Sequence, residues 1–238
     1  TKVTSYAELT DYVQKFNQYS DILKVETIGQ SVQNRNLYGL FFSKTAFGQD
    51  ENKAKVLIFA QQHGNEQSGK EGALLLAKML ISPEYSYLFD KIDLVLVPQV
   101  NPDGSEINQR RNANDMDLNR NHLILTEPET RALHQLFDTY LFDVTMDVHE
   151  YYPYYEEWMK FGHHKNSDVT VGATTNINVS EEIRDFSNEE VLISLQEFIR
   201  ENGFSSSEYC PGGPPETDYM RHSTFDINDG RQSLGIQN

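Results

Sequence analysis

A single cysteine, Cys210, is all that the 238 residues contain, which excludes an intramolecular disulfide and any multi-cysteine zinc cluster. Basic charge is also scarce: 20 Lys and Arg stand against 36 Asp and Glu, a formal net charge of −16. Such an excess repels phosphate backbones, so nucleic acid is not an expected partner; basic or neutral ligands are compatible with it, and acidic surfaces commonly serve only solubility. No apolar run approaches the roughly 20 residues of a membrane-spanning helix, so no membrane partner is expected. No basic start leads into the apolar core of a signal peptide. Thr1 rather than Met opens the chain, which leaves room for a leader already removed, and a periplasmic or secreted location is favoured over a cytoplasmic one. Internal repeats, low-complexity tracts and domain-splitting linkers are lacking too. What is left, 38% hydrophobic and 24% charged residues, is an ordinary globular composition with enough chain to bury a sizeable core.

Residues 6–19 carry Tyr6, Leu9, Val13 and Phe16 at helical spacing and read as an amphipathic helix. Short β-rich runs follow at 37–42, 56–60, 92–97 and 142–148; the middle two are almost continuously apolar, as strands buried on both faces are. Helical patterns occupy 69–81, 127–141 and 188–201, the last closed by Gly203. The alternation predicts an α/β fold, a single domain over 1–238 with a central mixed, largely parallel twisted sheet flanked by helices. The tail from Tyr209 has no closing apolar strand, so the domain is expected to be C-terminally incomplete and to lack its last core strand.

Ligands of open α/β sheets bind beyond the carboxyl ends of the strands, and three of these runs end in chemically loaded turns. The stretch 56–60 leads to His63 and Glu66, 92–97 leads to Asn101-Pro102-Asp103-Gly104, and 142–148 leads to His149 and Glu150. Catalytic zinc takes three N/O protein ligands and keeps one open position, and two His with one Glu is such a set. His63, Glu66 and His149 would supply it. Taken alone, His-x-x-Glu is an unremarkable spacing in a Glu-rich chain with seven His, and a lone His149 would more often be structural. The conjunction with the segment between them raises the metal hypothesis above a polar turn.

That segment, NPDGSEINQRRNANDMDLNRN (101–121), together with HGNE (63–66) and DVHE (147–150), resembles the zinc carboxypeptidase family, the carboxypeptidase A and B relatives. The order of motifs is the family's over roughly residues 56–150. The resemblance implies one zinc ion held by His63, Glu66 and His149, with Asp117 orienting His63. It implies that Arg110 polarises the scissile carbonyl and stabilises the oxyanion, and that Asn119 and Arg120 grip a free C-terminal carboxylate. A fixed guanidinium matches a carboxylate in bidentate fashion, and a preorganised cation near the developing alkoxide lowers the barrier; Arg111 keeps the reading of a solvated charge.

The implied chemistry is hydrolysis of the C-terminal peptide bond by a zinc-activated water, with a carboxylate as base. In the family that base is a glutamate on a late core strand, and no apolar strand carrying one is found here. Glu150 adjoins His149, but neighbours on an extended strand point to opposite sides. Tyr219 is the candidate for a tyrosine closing over substrate, with Tyr209 behind it, and Asp226 could meet a basic substrate side chain. The cluster 151–158 (YYPYYEEW) fits a pocket lining or plain packing equally. His163, His164 and His222 lack companions at ligand spacing, and Cys210 has no partner base. The expected partner is a peptide or peptide-like substrate with a free C-terminal carboxylate. Two other functions stay open: a zinc amidohydrolase deacylating N-acyl amino acids, and a zinc- and peptide-binding module without turnover.

Overall fold

The computed structural model describes residues 2–162, 164–209, 229–230 and 233–234. They fall into two compact units, one running through Glu150 and including residues 229–230 and 233–234, the other beginning at Tyr151.

In the first unit α1 (Tyr6–Tyr19) opens with a capping box, in which Ser5 accepts from the Glu8 backbone and the Glu8 side chain reaches back. Then come β1 (Leu23–Gln30), β2 (Asn36–Phe42), β3 (Ala54–Ala60), α2 (Gln67–Leu80), a 3-10 stretch (Pro83–Asp90) and β4 (Ile92–Val97). A short α3 (Pro102–Glu106), a 3-10 turn (Leu118–Arg120), α4 (Pro128–Tyr140) and β5 (Val144–Val148) complete it. The sheet order is β1-β2-β4-β3-β5, antiparallel across β1-β2 and β2-β4, parallel across β4-β3 and β3-β5. The expected α/β class with a mixed, helix-flanked sheet is what is observed. Because β3, β4 and β5 run in one direction, their carboxyl ends share one edge, and the three loaded turns meet there.

Strand alternation builds a core on each face. Tyr38, Leu40 and Phe42 of β2, with Leu94 and Leu96 of β4, pack beneath α1 and α2 against Leu9, Val13, Ala73, Ala77 and Phe89. Leu57 and Phe59 of β3, with Val95 and Val97 of β4, face α4 through Leu133, Leu136 and Phe137. Each of these large side chains contributes roughly 1.5–3 kcal/mol on burial. This double-sided burial explains why β3 and β4 read as continuous apolar runs. In contrast β5 is an edge strand among the described residues, with Val144 and Met146 over 40% exposed.

The second unit holds α5 (Glu156–Met159), a parallel pair of β6 (Val169–Val171) with β7 (Ser206–Glu208), and α6 (Glu181–Asp185) passing through a π-helical segment (Phe186–Val191) into α7 (Leu192–Glu201). The helix expected at 188–201 therefore begins about two turns earlier, at Glu181. Gly203 follows it at φ 87, as its capping role requires. The Lys165 ammonium lies over the rings of Tyr151, Trp158 and Tyr209, and Tyr152 packs edge-on against Tyr154 and Tyr155. Strand β1 escapes sequence patterning because its burial is irregular, broken by a register shift between Thr27 and Gly29.

Candidate metal centre

After β3 ends at Ala60, Gln61 takes a left-handed conformation (φ 57) that turns the chain out of the sheet. Its side-chain amide donates to the Gly64 carbonyl and to Ser105 Oγ, tying the turn to α3. Glycine is needed at position 64: a Cβ there would lie 2.2 Å from the Gly104 carbonyl carbon and 2.4 Å from Ser105 N. The HGNE and NPDG motifs are thus two turns in backbone contact. Within NPDG, Asn101 caps α3 by accepting from Gly104 N and donates to the carbonyls of Gln62 and Arg110. Asp103 is buried and bonded to Ser31 Oγ, Gln33 N and Arg35 Nη1. Those two residues are architectural.

At the centre, His63 Nδ1 lies 2.7 Å from Glu66 Oε1, His149 Nδ1 lies 2.8 Å from Glu66 Oε2, and the two Nδ1 atoms are 3.1 Å apart. Behind each imidazole stands a carboxylate: Asp117 Oδ1 is 3.1 Å from His63 Nε2, and Asp147 Oδ2 is 3.0 Å from His149 Nε2. A carboxylate accepts only, so each Nε2 carries the proton and each Nδ1 faces the centre. Tetrahedral coordination with zinc–ligand bonds near 2.0–2.1 Å separates donors by about 3.3 Å, and the three donor atoms here are gathered within 4.8 Å. The His149 side chain is 31% exposed, so the cluster opens toward solvent on that side. The residues fit a zinc ion with one open position.

Electrostatics agree. Burial alone would raise the Glu66 carboxyl, but the His149 and His63 imidazoles outweigh it and hold it at about 2. Burial opposes charge on His149 too, yet Asp147 and Glu66 push its imidazole up to about 10. Asp117 and Asp147 are both held below the usual carboxylate range against their burial, Asp117 by His63 and Arg110, Asp147 by His149 and Gln62. A site that draws a proton this strongly is one where a metal cation can take the proton's place.

The other residues singled out from sequence are placed as follows. Arg110 Nε donates to Asp117 Oδ2 at 3.0 Å, and its Nη1 lies 3.5 Å from Glu66 Oε1, which puts the guanidinium beside the cluster. Asn119 accepts from Gly230 N at 2.9 Å, fixing its amide; its Nδ2 is 3.2 Å from a His149 nitrogen whose proton Asp147 claims, and so keeps donor capacity. Arg120 donates to the Asn119 carbonyl and has no ion pair among the described residues. Arg111 pairs with Asp115 at the surface, as expected. The Glu150 carboxylate accepts from Ser68 N and Oγ, both at 2.9 Å, capping α2, while its backbone N–H donates to Glu66. His164 stacks on Tyr154. Tyr219, Cys210, Asp226, His163 and His222 lie outside the described residues.

Two participants escape the sequence. Asp147 was legible in principle, since residues i and i+2 of a strand share a face and D-x-H therefore puts carboxylate and imidazole side by side. Gln62 carried no such signal, because its partners come from β5 and from beyond the 3-10 turn.

A mixed sheet whose parallel strand ends gather two imidazoles and a carboxylate defines the class, an α/β protein with a candidate catalytic metal centre. The chain belongs to the zinc carboxypeptidase family, whose sequence profile matches residues 9–188. It is 28% identical over 192 residues to carboxypeptidase 2 of Trichophyton rubrum, covering 77% of this chain and 35% of the relative. It is 32% identical over 152 residues to carboxypeptidase M of Mus musculus, covering 55% and 34%. The chain thus spans about a third of the length of these two curated relatives. Its fold resembles the metallo-carboxypeptidase of Pseudomonas aeruginosa in complex with (2-guanidinoethylmercapto)succinic acid (TM-score 0.68, 21% identity, 97% of this chain and 56% of that one). It also resembles carboxypeptidase A of Helicoverpa armigera (TM-score 0.67, 16% identity, 99% and 71%). No helix among the described residues is long and apolar enough to cross a membrane.

Proposed function

We propose that the chain carries the zinc centre of a metallocarboxypeptidase, with His63, Glu66 and His149 holding one zinc ion and a peptide with a free C-terminal carboxylate as substrate. The observation that carries this is the convergence of the three donor atoms with a carboxylate behind each imidazole. Bound there, zinc supplies Lewis acidity and lowers the pKa of a water. Arg110 sits where a fixed cation would stabilise charge developing on a substrate oxygen. The Arg120 guanidinium, without an ion pair among the described residues, and the spare donor of Asn119 suit the substrate carboxylate. Asp117 holds the His63 proton on Nε2 and leaves Nδ1 as the ligand.

A second possibility, binding without turnover, has one observation in its favour. Among the described residues Glu66, Asp117, Asp147 and Glu150 are each engaged by an imidazole, a guanidinium or Ser68, so none is free as general base. A peptide and its C-terminally amidated form separate the cases: a carboxypeptidase cleaves only the free acid, an amidohydrolase is indifferent to amidation, and a binding module retains the free acid uncut. Metal content by atomic absorption tests the ligands. One zinc per chain is expected, lost in His63→Ala and in His149→Ala; unchanged zinc in either would remove that residue from the ligand set.

A further inference from the structure

A buried polar chain runs behind the metal centre, away from substrate. His134 Nε2, on α4, lies 3.0 Å from His122 Nδ1; His122 Nε2 lies 2.6 Å from Gln62 Oε1; Gln62 Nε2 lies 2.8 Å from Asp147 Oδ2, which is itself 3.0 Å from His149 Nε2. Gln62 is 0% exposed, His122 1% and His134 4%, so these links are shielded from solvent.

We infer that His134, His122 and Gln62 form a one-directional hydrogen-bond relay that orients Asp147 and, through it, the His149 imidazole, making the three of them positioning residues of the metal centre. The direction follows from the carboxylate at its end. Asp147 only accepts, so Gln62 must turn its NH2 toward it and its carbonyl oxygen toward His122. His122 therefore carries its proton on Nε2, leaving Nδ1 bare, and His134 must donate from Nε2. The reverse polarity would set the Gln62 oxygen against a carboxylate oxygen at 2.8 Å. Burial lowers both imidazoles, His122 to about 3, so each is neutral and has one donor and one acceptor. Gly230 roofs the middle of the relay: a Cβ there would stand 3.0 Å from Gln62 Nε2 and 3.1 Å from both Asp147 Oδ2 and His122 Nε2. Ser233 Oγ fastens the segment by donating to the His122 carbonyl. Asp147 Oδ1 has no hydrogen-bond partner among the described residues, so the carboxylate is oriented through Oδ2 alone, by Gln62 and His149. Loss of Gln62 would leave Asp147 Oδ2 held only by the His149 imidazole that it is there to orient.

The relay's effect on metal rests on the zinc assignment above, and the test separates the two. Zinc affinity by chelator competition is expected to fall about tenfold in Gln62→Met and several-fold in His122→Phe, the scale of outer partners of metal ligands. Because His122 acts through Gln62, the double variant should bind zinc no more weakly than Gln62→Met alone. Losses at two sites that act independently would instead multiply, and multiplied losses, or single variants with the parent's affinity, would overturn the relay. Long-range 1H–15N spectra of the unaltered, metal-free chain give a second reading that needs no variant to fold. Both His122 and His134 are expected as the neutral Nε2–H form, and a proton on His122 Nδ1 would overturn the relay. If the parent chain takes up no zinc, the metal assignment falls and the spectra alone judge the relay.

Discussion

Replacing Gly64 by alanine tests whether two motif turns really touch through their backbones. The added Cβ would lie 2.2 Å from Gly104 C, 2.4 Å from Ser105 N and 2.5 Å from Gln109 O, all main-chain atoms that no rotamer change can move. Ordinary contact begins near 3.5 Å, so the turns must part by about 1 Å. Three hydrogen bonds depend on the present position: Gly64 N to the Arg110 carbonyl at 3.1 Å, and the Gly64 carbonyl with Gln61 Nε2 and Gln67 Nε2, both at 3.0 Å. Loosening them costs about 1 kcal/mol each, and overpacking adds about 1–3 kcal/mol. A loss of about 4 kcal/mol or more is expected, a large part of the 5–15 kcal/mol typical of a domain. Urea unfolding of the metal-free chain, followed by far-UV circular dichroism, should show a midpoint lowered by on the order of 2 M. Gly72→Ala is the control, because that glycine sits exposed inside α2 with nothing within 4 Å of its would-be Cβ. It should gain about 1 kcal/mol in helix propensity. A Gly64→Ala midpoint at or above the parent's would refute the contact.

Three further outcomes are expected. Burial pushes His122 down from 6.5 to about 3, so it is neutral in the fold but takes up a proton in the unfolded chain; stability is complete above about pH 6.5 and declines as pH falls toward 3, by up to about 5 kcal/mol. His122→Asn should flatten that acid limb in urea titrations between pH 7 and 4. Arg35→Met removes the cationic partner of Asp103, whose side chain is 0% exposed, and should cost about 3 kcal/mol by the same titration at pH 7. Glu150→Ala removes the cap on Ser68 and should cost about 1 kcal/mol, while peptidase turnover falls far less than the hundredfold or more that loss of a general base entails.

The strands at 37–42, 56–60 and 92–97 and the helix at 6–19 were legible because local periodicity and two-sided burial leave a mark on consecutive residues. The ends of other elements shifted for local reasons: Leu141 adopts a left-handed conformation (φ 49) that closes α4 one residue early and delays β5 to Val144. Strand β1 was not legible, since its bulge and half-exposed edge position break the alternation.

By itself the sequence determined the donor types, their order along the chain and the class of sheet edge that would receive them, because metal ligands must be particular side chains and buried strands must be apolar. Only the tertiary structure decided that Glu150 caps a helix, that Gln62 stands against Asp147, and that Gln62, His122 and His134 join one buried network. Those choices rest on hydrogen bonds across 12 to 85 residues of chain, where orientation to a fraction of an ångström selects the partner and no local pattern records it.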